Sequence, residues 1–177
     1  IQDIEIPKLH GVHQFKGENG GPGGQAHAMR NITIFMGICD DMAELCPDAW
    51  LMNFTNPMSF LCTYFREYTD LKALGFCHQV DGSMGVVAEM LGHEPDAFEV
   101  ISGGVNHFNW MLELWDRETG EDLFPKLRAR VEEIGPPKGF EMCCALWDRF
   151  GVFPTTGDSH VGEYLSYGHE YFTKGYD

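Results

Sequence analysis

Positive charge is scarce in this chain. Twelve Lys and Arg face 27 Asp and Glu, a formal charge of −15 over 177 residues. So acidic a protein lacks the basic footprint that nucleic acid or an anionic membrane surface requires. Long apolar runs are missing as well: none approaches the ~20 residues needed to span a bilayer. The opening IQDIEIPKLHG has neither the basic head nor the apolar stretch of a signal peptide. There is no CxxC pair, which argues against a structural zinc knuckle. The six cysteines, Cys39, Cys46, Cys62, Cys77, Cys143 and Cys144, lie inside apolar stretches and not at the spacings of a disulfide scaffold. A reducing, cytoplasmic setting is therefore expected. Residue 1 is not Met, and the sequence closes on YFTKGYD with no capping signal, so a fragment of a longer chain is expected.

What is present alternates. Residues 1–24 are rich in Gly, His and polar groups and end in GENGGPGG, which reads as a mobile loop. From 25 to 46, apolar residues recur at helical spacing (Met29, Ile32, Phe35, Met36, Cys39). AWLMNF reads as a short buried strand broken by TNP. A helix over 59–69, a strand KALGF and a helix over 82–92 stopped by Gly92 follow. Strand, helix, strand, helix is the pattern of a parallel α/β sheet. Beyond residue 98 the pattern changes to strand-like runs around GGVNHFNW, a helix over 121–134, a PPKG turn and a helix around MCCALWDRF. The expected organisation is an α/β unit over 1–97 and part of an α+β unit over 98–177.

Parallel sheets gather ligands at the carboxyl ends of their strands. Three polar clusters fall there: Asn53-Phe54-Thr55-Asn56-Pro57, Cys77-His78, and Asn106-His107. Each has an ordinary reading. Asn-Pro marks turns, a buried Cys serves as a small hydrophobe, and a lone His in a Gly-rich turn is commonly just satisfied by neighbours. Together, a thiolate and an imidazole on one rim suit a divalent transition metal with positions left open for substrate.

Taken in order and spacing, GGPGG, NFTNPMSF, GFCHQV and GGVNHFNW resemble glycoside hydrolase family 4, the NAD- and manganese-dependent glycosidases. The resemblance covers most of residues 10–170. It implies a Rossmann-type sheet like that of lactate and malate dehydrogenases, here only in part, since no G-x-G-x-x-G follows a strand. On this resemblance, residues 1–97 are the C-terminal portion of the NAD-binding domain and 98–177 part of the metal and substrate domain. It makes Cys77 and His107 the metal ligands. Thr55 lies beside the nicotinamide, and Asn56 touches both cofactor and sugar. Arg30 and His160 are substrate contacts, and His78 is the acid for the leaving oxygen. A His after the ligand Cys resembles the branch acting on unphosphorylated α-glycosides or α-glycosiduronides. The chemistry implied is oxidation at sugar C3 by NAD, removal of the C2 proton with metal assistance, and elimination of the aglycone, outside the usual pair of carboxylates. Dimers or tetramers are also implied.

The base is the open point. PTTGDSHVGEY offers Asp158, His160, Glu163 and Tyr164, and Asp158 is the preferred C2 base. The same stretch also reads as a plain helix start, with Asp158 or Ser159 as cap and Glu163 completing a capping box. Two other readings compete: an NAD-dependent 2-hydroxy acid dehydrogenase, which would need no metal, and an inactive metal-binding remnant.

Overall fold

The computed structural model describes residues 2–14 and 18–172. The chain divides into two compact units, residues 1–77 and 78–177.

The first unit opens with two helices. α1 spans Gln2–Leu9 and α2 spans Gly21–Leu45. The expected GGPGG loop is thus corrected: Gly20 is the N-cap, and Gly21 to Gly24 are the first turn of α2. Pro22 suits that turn because a first-turn N–H has no helical partner to lose and the fixed φ is already helical. α1 makes use of the small residues there. A Cβ on Gly23 would run into the backbone carbonyl of Asp3, and the Asp3 carboxylate takes the Arg30 guanidinium at 2.5 Å.

β1 (Trp50–Asn53) and β2 (Lys72–Gly75) pair in parallel, Trp50 opposite Lys72 and Asn53 opposite Gly75. The crossover is α3 (Met58–Tyr68). Its inner face supplies Leu61 and Phe65, both fully buried, against Cys39 of α2 with Phe35 and Leu51 packed around them. Full burial of each such side chain contributes about 1.5–3 kcal/mol. β2 ends in Gly75 for a packing reason: a side chain there would meet Cys62 and Met58 of α3.

The second unit begins with α4 (Gln79–Leu91), stopped as expected by Gly92 in the left-handed conformation. α4 gives its apolar face, Met84, Val87 and Ala88, to the core of the second unit. After a 3-10 turn (Pro95–Ala97), β3 (Phe98–Val105) and β4 (Phe108–Asp116) form an antiparallel hairpin with a register shift between Ile101 and Ser102. α5 (Phe124–Ile134) and α6 (Glu141–Phe150) follow. Then come the short β5 (Phe153–Pro154), antiparallel to β4, α7 (Asp158–Val161), a 3-10 turn (Gly162–Tyr164) and α8 (Gly168–Phe172). Met111 and Leu114 of β4, Leu127 of α5 and Met142, Cys143 and Trp147 of α6 fill the core. A parallel pair followed by an antiparallel sheet with helices bears out the α/β then α+β reading.

The β3–β4 turn is tight. Gly104 has φ +145°, and a Cβ there would press on the Phe108 carbonyl and lie 2.8 Å from Asn109 Cα. Gly104→Ala is expected to cost on the order of 2 kcal/mol through backbone strain and to loosen the turn; thermal melting and exchange of the hairpin amides are the measurements.

Candidate functional site

In the first unit the TNP loop is held by the last residue of β1. Asn53 is buried. Its Oδ1 accepts the Thr55 N–H at 3.0 Å, and its Nδ2 donates to the Thr55 carbonyl at 3.1 Å. Asn31 of α2 donates to the Asn56 carbonyl at 2.6 Å, and the Asn56–Pro57 peptide is cis. The loop is thereby fixed while Thr55 stays exposed and Asn56 half-buried. Arg30 is exposed and ion-paired with Asp3, with His27 Nδ1 at 3.2 Å. The Arg30 guanidinium holds the Asp3 carboxyl below its ordinary value.

β2 runs into Cys77, half-buried at the end of the first unit. His78, exposed, is the N-cap of α4 without a capping hydrogen bond from its side chain.

In the second unit the structure builds a buried polar centre on His107. Its backbone is left-handed, φ 63°, at the second position of the hairpin turn, where Gly or Asn is the usual occupant. The peptide groups on both sides are clamped. The His107 N–H donates to Gln79 Oε1 of α4 at 3.0 Å, and the His107 carbonyl accepts from Thr156 Oγ1 at 3.2 Å. Thr155, next in line, donates its hydroxyl to Asn109 Oδ1 at 2.8 Å, and Ser83 of α4 donates to the Thr155 carbonyl. A His kept in a costly conformation and pinned from two elements points to use of its ring.

The ring meets the turn after β5. Glu163 Oε2 lies 3.3 Å from His107 Nδ1, both side chains being 1% exposed. His160 stacks its ring edge-to-face on His107, centroids 4.2 Å apart, with its Nδ1 2.9 Å from Ser159 Oγ. Tyr164 donates its hydroxyl to the Asn106 carbonyl at 2.8 Å. Burial, then the charge of Glu163, raises that phenol above its ordinary value. Imidazole nitrogen and carboxylate oxygen, both shielded from water, are donors a divalent transition metal accepts, so the residues fit such an ion.

His160 is thus packed against His107. Asp158 has a different placement. Buried at 1% exposure, it caps α6, a helix that precedes it in sequence: Oδ2 accepts the Met142 N–H at 2.9 Å and Oδ1 the Cys143 N–H at 2.8 Å. Burial pushes its carboxyl up, against the pull of these two donors. Sequence reasoning had placed its capping role on the helix it starts, whereas Gly157 is the N-cap there. Glu163 was read as one of four candidate bases and as half of a capping box, and its pairing with His107 was not read. Cys143 and Cys144 are core, as expected, and burial pushes the Cys144 thiol up to about 12. Trp110 packs on Phe108 and Phe150.

No helix among the described residues is long and apolar enough to cross a membrane. Comparison with known proteins gives consistent matches. An alpha-galactosidase of Bacillus subtilis is 38% identical over 98% of the chain and 39% of its own length. An alpha-galacturonidase of the same organism is 32% identical over 92% of the chain and 41% of its own length. The chain thus spans about two-fifths of the length of these curated relatives. Among solved structures, Bacillus subtilis lplD, a candidate glucosidase, superposes with TM-score 0.80 at 28% identity, over 95% of this chain and 44% of that one. A 6-phospho-alpha-glucosidase from gut microorganisms, solved with NAD and Mn2+, gives TM-score 0.80 at 24% identity over 98% of this chain and 41% of that one, a likeness of fold. The model of the family 4 glycosyl hydrolases matches residues 1–93, and that of their C-terminal domain residues 102–176. The two matches together leave only a short gap between them, and the chain belongs to family 4 of the glycosyl hydrolases.

Proposed function

We propose that the whole protein hydrolyses an unphosphorylated α-glycoside or α-glycosiduronide, using NAD and a divalent metal such as Mn2+. The observation that carries this reading is the pinned, enclosed His107 with a carboxylate at its ring, at the position where the family pattern has a metal ligand. The substrate class is supported by the relatives named alpha-galactosidase and alpha-galacturonidase. When bound, NAD supplies reversible oxidation at sugar C3 and the metal supplies Lewis acidity at the neighbouring oxygens.

The chain's own residues do the rest. Cys77 and His107 hold the ion. Gln79 of α4 accepts the His107 N–H and holds that residue's backbone. Thr55 and Asn56, on a loop stiffened by Asn53, present polar groups to the nicotinamide and the sugar. Exposed at the start of α4, His78 gives a proton to the leaving oxygen. Arg30 and His160 contact the substrate, and Asp158 takes the C2 proton. The same reading makes the protein cytoplasmic, in keeping with six cysteines that no disulfide joins. It also makes the protein a homodimer or homotetramer, in keeping with exposed apolar side chains on the first unit such as Met29, Leu45 and Trp50.

A panel of aryl α-glycosides, with and without a C6 phosphate or carboxylate, tests the reading on the whole protein with NAD+, Mn2+ and a thiol reductant. Release of the aglycone from an unphosphorylated member, lost on chelation and on omission of NAD+, is the expected result. Turnover indifferent to chelator would overturn the metal, and turnover confined to C6-phosphates would overturn the substrate class.

A further inference from the structure

We infer that Glu163 is the positioning residue for His107: its carboxylate accepts a hydrogen bond from Nδ1–H and so leaves Nε2 as the nitrogen that meets a divalent cation. This deepens the metal reading above and rests on it. An imidazole binds metal through one nitrogen, and which one is set by the hydrogen bond the other makes. Here one side is taken. Glu163 Oε2 stands 3.3 Å from Nδ1, and both side chains are closed off from water. The remaining freedom of the ring is small. Backbone clamps from Gln79 and Thr156 fix its origin, and the His160 ring abuts it at 4.2 Å with planes 81° apart. Glu163 itself is placed by the 3-10 turn Gly162–Tyr164, whose Tyr164 hydroxyl reaches back to the Asn106 carbonyl. The turn that supplies the carboxylate is therefore tied to the turn that supplies the imidazole. A buried ion pair serving stability alone would need no particular ring nitrogen; a positioning role does.

The tests use the 177-residue chain labelled with 15N-histidine, with the His107 signals assigned by their loss in His107→Gln. In metal-free protein at about pH 8, where ordinary imidazoles are neutral, His107 should show the Nδ1–H tautomer and lose that signature in Glu163→Ala. Calorimetry with Mn2+ should find Glu163→Ala weaker by about 10–100-fold, the usual loss when an outer partner of a metal-bound His is removed. Glu163→Gln should bind within about threefold of the parent, because its amide oxygen still accepts from Nδ1–H. A Gln variant as weak as the Ala variant would make the carboxylate itself a ligand and overturn the inference. So would an Nε2–H tautomer in the parent. A parent that takes up no Mn2+ sinks the metal reading instead, and the tautomer spectrum still decides the role of Glu163.

Discussion

Replacing Cys77 by serine will weaken Mn2+ binding at least ~100-fold, at or above the upper end of what loss of an outer partner of a ligand costs. Thiolate and hydroxyl differ little in size but greatly in chemistry. A bound metal keeps a thiol deprotonated at neutral pH, and the softer sulfur favours a transition ion, whereas an alcohol keeps its proton and competes poorly with water. The fold is expected to tolerate the change. Cys77 is half-buried just past β2 and belongs to neither of the two apolar cores. The measurement is calorimetric titration of Mn2+ into parent and variant, with circular dichroism to show equal folding. Equal affinity in the two proteins removes Cys77 from the ligand set, and with it the thiolate-imidazole pair on which the catalytic proposal stands.

Local signals were readable from the sequence and distant ones were not. Gly92 stops α4 through a left-handed residue, a property of that residue alone. The GGVNHFNW hairpin follows from strand-forming residues flanking a Gly-rich turn, and Gly104 meets a steric demand that no other residue meets as well. The start of α2 went the other way. Gly and Pro in the GGPGG stretch carry low helix propensity, so composition favours a loop, yet Pro fits a first turn and the missing side chains let α1 come down on Gly23. Tertiary packing overrode propensity there. His107 was legible as an oddity, an imidazole in a glycine turn. Its partner Glu163 was not, because the two are 56 residues apart and no periodicity links them.

Asp158 gives the second large effect, and it separates two roles. Its carboxylate takes two backbone N–H groups at the start of α6. Truncation to alanine strands both donors in a buried place, a loss on the order of 3 kcal/mol and several degrees in Tm. Asparagine keeps one acceptor oxygen and should lose about half as much. The pH dependence has a definite sign. Burial raises the folded carboxyl above its ordinary 3.8, so the fold favours the protonated form. That contribution is fully present below the unfolded value and disappears as pH rises through the raised one. Asp158→Asn should flatten that part of the stability curve. A carboxyl raised by burial also suits a general base, which contributes about 10²–10⁴-fold, although at 1% exposure it reaches a sugar only if α7 shifts. In the whole protein, the Asn variant is expected to lose C2-proton exchange with solvent at least ~100-fold while melting within a few degrees of the parent. Exchange that survives in a folded Asn variant would leave Asp158 with the α6 cap alone and move the base to another residue.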